Sequence, residues 1–526
     1  MTEMGVVRAT GARPQSREKL SLTQRAALTF VSQVLAQGAA LVTGLIVTPI
    51  VTRGLGQELY GAWAMMQRAV GFVGLGSLSS MTALKIRLGT SQHKDDLQEK
   101  RRLIGASLLL WTVATPLLLA IGACVVYFVP ALIRAGTEHI GDVRLALLVM
   151  IASMIVGQII TMPGMLIAAH NMEYKAMGLN AIAILAGGML NAVAIWAGFG
   201  LVGLAVSTLL GVALVSSCRY VVARKVLPWI GMALPLYSEF IAFTRLSLWA
   251  TLSTLSGVIL NAADLFLVGY LLDPSTAAVY SITGSALRMT TQPVFQLLQS
   301  GAGGYAMLGG KGDWINVARI RIEMHQIAIT LTAVVATGVL ALNGAFVSLW
   351  VGREYYGGEI LTALMALLAV ARLFFYLDIL VVEMTLKLKY KVWATLSCGL
   401  AGLAVGVILI PRWNASGMAV GSLLSYCLLI LYVPFVIRRL TGIPLREYAR
   451  RMARPIVTAL VCLLGGYYFA LRVHPATWRM FAVASLAVGL TTFGVMVVIG
   501  LPAEGRRNLY QRIKRLAHRE AGAQVW

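Results

Sequence analysis

Three arginines stand deep inside apolar stretches of this chain: Arg68 in AWAMMQRAVGFVGLG, Arg288 in GSALRMTTQP and Arg372 in LLAVARLFFY. A guanidinium presents a planar fork of donors that matches the oxygens of a phosphate or carboxylate two at a time. Gln67, beside Arg68, adds an amide donor to the same level. Two carboxylates share these surroundings, Asp264 in NAADLFLVG and Asp378 six residues after Arg372. They have two readings, and both stay open at this point. They neutralise neighbouring arginines, or one or both bind a coupling Na⁺ or H⁺. Three arginines against two acids suit an anionic ligand, whereas a cationic one would want the opposite balance. Gln33, Gln37 and Gln158 are equally consistent with lining a cavity and with hydrogen bonding between helices. Arg245 lies near the end of its apolar stretch, within reach of a polar boundary.

The surroundings make those arginines expensive. Hydrophobic residues form 58% of the 526 and charged residues 12%, about half the charged share of a soluble protein. Apolar runs long enough to cross a bilayer recur along nearly the whole chain, which predicts an all-α polytopic membrane protein. At mid-membrane each arginine costs roughly 2.5–3.5 kcal/mol, so three facing lipid would cost about 8–10 kcal/mol. A polar cavity between helices is the economical place for them. The five cysteines show neither a disulfide framework nor metal spacing. No nucleotide site is visible either: YAMLGGKGD has Tyr305 where a phosphate loop needs its first glycine, and Gly312 where it needs Ser or Thr. No catalytic residues, cofactor or metal are expected, and an enzyme reading is poor.

Fourteen membrane helices are predicted, at 27–52, 60–84, 103–130, 145–169, 177–198, 200–218, 242–271, 277–303, 324–350, 358–385, 391–411, 414–437, 453–472 and 478–501. With both termini cytoplasmic, 33 of the 44 Lys and Arg fall on the inner side and 7 on the outer, loop-adjoining helix ends counted with their loops. The net charge of +23 is then topology and attraction to anionic membrane lipid, with no nucleic-acid partner. The tail GRRNLYQRIKRLAHRE reads as a basic interfacial helix.

The chain also repeats itself. GLAVSTLL at 203–210 matches GMAVGSLL at 417–424 in five of eight positions, 214 residues on. Tyr174-Lys175 recurs as Tyr390-Lys391, 216 residues on, and the turn LGQELYGAWA corresponds to LLDPSTAAVYS. Two six-helix lobes follow, related by a pseudo-twofold along the membrane normal, with a substrate path between them and two helices left over. The expected divisions are a tail at 1–26, an N-lobe at 27–220, a linker at 221–241 and a C-lobe at 242–437. A basic loop with two helices at 438–501 and a tail at 502–526 complete the chain. Arg288 aligns with Gly71, which puts Arg68 and Arg288 on nearly one face of equivalent helices, one turn apart.

The stretch LVTGLIVTPIVTRGLGQELYGAWAMMQRAVGFVGLGSLSS at 41–80 resembles the opening of the polysaccharide transport (Wzx-like) flippases of the multidrug/oligosaccharidyl-lipid/polysaccharide exporter superfamily. DLFLVGYLLDPSTAAVYSITGSALRM at 264–289 is similar in the second half, with its acid, short turn and Tyr280. The resemblance spans essentially the whole chain and implies alternating access between two lobes. It implies a substrate of undecaprenyl-pyrophosphate-linked oligosaccharide, carried across the bacterial inner membrane for surface polysaccharide synthesis. It also implies a monomer working beside polysaccharide polymerase machinery. In the related lipid II flippases, cavity arginines hold the pyrophosphate and a carboxylate on helix 7 belongs to a sodium site. Arg68, Arg288 and Arg372 correspond by location and charge, and Asp264 by helix and residue type. The last two helices of those relatives help hold the lipid tail. The alternatives are a cation-coupled multidrug exporter or a lipid II flippase of the same superfamily. A membrane glycosyltransferase or polymerase fits least, because the outer loops are short and poor in acids.

Overall fold

The computed structural model describes residues 22–90, 96–133, 137–170, 172–227, 229–300, 308, 312–384, 388–442, 445–502 and 506–507. Most of YAMLGGKGD and of the tail 502–526 therefore lies outside the described residues. Among the described residues the fold is all helical. The principal elements are α1 (Leu22–Val73), α2 (Ser80–Thr90), α3 (Leu97–Ile133), α4 (Ile140–Ile160), α5 (Met162–Ala169), α6 (Met177–Trp196) and α7 (Gly200–Val226). They continue with α8 (Tyr237–Leu271), α9 (Pro274–Thr283), α10 (Ser285–Ser300), α11 (Trp314–Trp350), α12 (Gly358–Met384), α13 (Leu388–Thr441), α14 (Leu445–Ala470) and α15 (Trp478–Val495).

Eleven of the described helices are long and apolar enough to cross a membrane, and two of those are hairpins. α1 reverses at Gly56, whose φ of 75° is readily available to glycine. Its first arm runs beside α6, with Thr43 against Gly188 and Gly54 against Ile195. Its second arm starts with Gly61 against the Pro274 carbonyl of α9 and runs back along α8, with Met65 against Gly269; beyond its end, the Leu78 carbonyl accepts from Ser247 Oγ of α8. α13 reverses at Asn414 (φ 49°), and its arms touch backbone to backbone where Gly421 meets Gly402 and Gly406. Each of the fourteen expected segments is helical in the described residues. Many large apolar side chains remain outward and exposed, Val113, Phe128, Ile182, Leu431 and Leu486 among them, as a lipid-facing surface requires.

The internal repeat reappears as repeated packing. The first arm of α1 packs on α6 as α8 packs on the first arm of α13; α4 packs on α7 as α12 packs on the second arm of α13. Trp63, Met66, Leu118, Leu147 and Leu204 form the core of the first set, and Leu368, Phe375, Tyr426 and Leu429 that of the second. α14 and α15 stand outside both and pack on α11.

Four helices differ from their expected shapes. The segment at 145–169 is broken at Thr161, between α4 and α5. The segment at 60–84 is interrupted after Val73 by a 3₁₀ turn at Gly74–Ser77 and by Leu78 and Ser79, both at positive φ, before α2 begins. The carbonyl freed at Leu78 is satisfied by Ser247, which is how a broken helix is tolerated among packed helices. The segment at 277–303 is divided at Gly284. The segment expected at 324–350 starts ten residues earlier, at Trp314, capped by Asp313. Its charged opening RIRIEMH reads as loop by hydropathy but is helix, because Arg321 there has a buried partner.

Candidate functional site

A cavity of about 300 Å³ opens among α8, α9, α10 and α12 of the second set, and Arg68 is the one lining residue from the first set. Arg68 enters it from the second arm of α1, Asp264 from α8, Arg288 from α10 and Arg372 from α12. Arg68 and Arg288, expected on nearly one face of equivalent helices, both line this cavity, and Arg372 lines it from a third helix. Each gets there for a local reason. Arg68 lies on the stretch between two contacts with α8, Met65 against Gly269 and the Leu78 carbonyl with Ser247. Arg288 points back toward the N-terminus of α10, as long helical side chains do, and its Nη2 donates across the break at Gly284 to the Ser281 carbonyl of α9. Gly284 leaves the room for this: a Cβ there would stand 2.7 Å from Arg288 Nη1.

Arg372 is held from its other side. Its guanidinium carbon lies 5.6 Å from the centre of the Tyr426 ring, and Tyr426 Oη donates to Asn261 Oδ1 at 2.6 Å. The Arg372 Nε is buried without a hydrogen-bond partner among the described residues. Asp264 is the carboxylate of the cavity: Oδ2 accepts from Tyr280 Oη at 3.0 Å, and Oδ1 from the Leu265 amide at 2.8 Å. Arg288 lies within electrostatic reach of Arg68, Arg372 and Asp264. Three guanidinia against one carboxylate leave a surplus of positive charge inside low-dielectric walls, where each contact to an anion is strengthened.

Two expected site residues are elsewhere. Gln67 is exposed and is not among the residues lining the cavity, because one step along a helix turns a side chain by about 100°. Asp378 does not line it either. Its carboxylate, 2% exposed, takes a bidentate fork from Arg321, with Nε–Oδ1 at 2.7 Å and Nη2–Oδ2 at 2.9 Å. His325 Nε2 stands 3.3 Å from the same Oδ1, and the Arg321 guanidinium sits 3.8 Å over the ring of Tyr448 from α14. Of the two readings open for Asp378, neutralising an arginine is the one the geometry supports, though the arginine is Arg321 and not Arg372. Sequence reasoning placed Arg321 in a loop. The signal it passed over is Arg321 and His325 one turn apart, downstream of a good capping aspartate at 313. Gln33 and Gln37 line a separate cavity, and Arg245 is exposed.

The ends of the helices join the two sets. At the turn end, Gln57 Nε2 donates to the Glu354 carbonyl at 3.3 Å, Tyr355 Oη to the Thr52 carbonyl at 3.1 Å, and Trp350 Nε1 to the Leu45 carbonyl at 2.8 Å. At the opposite end, Phe243 of α8 is buried among Leu84, Leu88 and Ile104, and Arg102 pairs with Glu239 at 3.2 Å. The arginine cavity lies between these contacts.

No family model and no curated protein matches the sequence. Solved structures do resemble this one. The lipid II flippase MurJ in its inward closed conformation aligns with a TM-score of 0.60 at 12% identity, over 90% of this chain and 97% of that one. A MATE in complex with MaD3S gives 0.55 at 16% identity, over 80% and 97%. An inward-facing multidrug resistance MATE family transporter of the MOP superfamily gives 0.52 at 15%, over 81% and 97%. At such identities what is shared is the fold, and its named holders are transporters and a flippase.

Proposed function

We propose that the chain is a Wzx-like flippase of the MOP superfamily. It moves an undecaprenyl-pyrophosphate-linked oligosaccharide across the bacterial inner membrane by alternating access, supplying surface polysaccharide synthesis. The observation that carries the reading is the convergence of Arg68, Arg288 and Arg372 on one cavity that holds a single carboxylate, Asp264. A diphosphate linkage is the anion such an arrangement suits. It offers several oxygens to forked donors, and its charge offsets the surplus of the walls. The likeness in fold to a lipid flippase and to exporters supports the transport part of the proposal.

The lobes are 27–220 and 242–437, and α14 with α15 forms a flank suited to an isoprenoid tail. Asp264, tied to Tyr280, is the group for a coupling Na⁺ or H⁺. In a cell lacking its own flippase, the wild-type chain is expected to restore surface polysaccharide, and Arg68→Ala and Arg288→Ala to fail at normal protein levels. Unchanged export in both variants would remove the cavity from the mechanism. Asp264→Asn is expected to lose the dependence of transport on the ion; retained dependence would exclude Asp264 as the coupling group. The competing reading, cation-coupled drug export, draws on the same Asp264–Tyr280 pair but leaves three arginines facing a cation.

A further inference from the structure

α10 carries a polar stripe that begins at the arginine cavity and leaves it. Arg288, Gln292, Gln296 and Gln299 follow at intervals of four, four and three residues, which puts them on one face of the helix. Arg288 and Gln292 line the arginine cavity, whereas Gln296 and Gln299 line a second cavity of about 340 Å³. Across this second space stand Gln33 and Gln37 of α1, Asn180 of α6 and Arg219 of α7. Arg219 Nε donates to Asn180 Oδ1 at 3.1 Å. Gln296 Oε1 is buried with no hydrogen-bond partner among the described residues.

The two spaces differ in chemistry. The first is cationic; the second is dominated by amides, with one arginine and, among the residues lining it, no carboxylate. An amide brings donors and an acceptor without charge, which matches a ligand whose every group is itself donor and acceptor, namely a hydroxyl. An alkyl tail would leave the amides unpaired, at a cost in lost hydrogen bonds. A cation would meet Arg219 and find no counter-charge. Eleven residues separate Arg288 from Gln299, about 16 Å along a helix, so one ligand that fills both spaces is extended and carries its charge at one end.

We propose that the second cavity is a glycan subsite, in which Gln37, Gln296 and Gln299 hydrogen-bond neutral sugar residues while the diphosphate of the same molecule sits at Arg68, Arg288 and Arg372. The inference rests on the flippase reading and adds the place where the oligosaccharide is read. The full-length purified protein serves for the test, with three probes: a polyprenol, its pyrophosphate, and that pyrophosphate bearing a neutral trisaccharide. Equilibrium binding is measured for wild type and for Gln37→Met and Gln296→Met, which keep side-chain length and lie on different helices.

The trisaccharide is expected to strengthen wild-type binding about tenfold over the bare pyrophosphate, in line with one or two net hydrogen bonds. Each variant is expected to lose most of that gain while holding the bare pyrophosphate as wild type does, which also reports that it is folded. Equal binding of the two pyrophosphates by wild type, or the full gain retained in either variant, overturns the subsite and leaves the anion site standing. A bare pyrophosphate held no better than the polyprenol overturns the flippase reading, and the subsite falls with it.

Discussion

Arg288 reaches the cavity only because residue 284 has no side chain. A methyl group at Gly284 would meet the far end of the arginine and no backbone atom, with Met365 Sδ next nearest at 3.1 Å. The fold can absorb that, but the guanidinium cannot stay where it is. Gly284→Ala is therefore expected to unfold at the wild-type temperature while binding a pyrophosphate lipid about tenfold or more weakly, as loss of a charge-assisted hydrogen bond implies. Unaltered affinity would mean that the observed position of Arg288 is not the one that binds. The arginines themselves were legible in the sequence, since their cost in an apolar run has few remedies. Their company was legible only in part. Whether Gln67 or Arg68 faces the cavity depends on about 100° of rotation, and periodicity in a helix apolar all round cannot supply that angle.

At the scale of elements, the buried cluster of Arg321, Asp378 and His325 joins α11 to α12, and Tyr448 brings α14 onto them. Removing one partner of such a pair leaves an uncompensated buried charge and costs about 3–5 kcal/mol. Asp378→Asn is expected to lower the unfolding temperature of the purified protein clearly while leaving pyrophosphate-lipid affinity near wild type. The reverse pattern, intact stability with lost binding, would return Asp378 to the transport site. Hydropathy located the helices well, because long apolar runs admit few other structures. It misjudged the start of α11, where the helix continues through charges that tertiary partners neutralise. It also missed the interruptions at Gly74–Ser79 and Gly284, which neighbouring helices make tolerable and no single segment announces.

For the whole molecule, the proposed alternating access requires the contacts at the turn end to come apart in one of its states. Gln57 reaches the Ser275 and Glu354 carbonyls there, and Gly61 lies against Pro274. With the five native cysteines replaced, Gln57→Cys with Ser275→Cys joined through disulfides by a short bis-thiosulfonate cross-linker is expected to stop transport, and reduction to restore it. Undiminished transport by the cross-linked protein would show that this end never has to open. The most direct test is movement of a pyrophosphate-linked oligosaccharide lipid across proteoliposomes containing the purified chain. The wild type is expected to bring the lipid to the opposite leaflet far faster than protein-free vesicles, and Arg288→Ala to fall back toward the protein-free rate. A wild type that leaves this lipid in place while expelling a cationic dye would contradict the account.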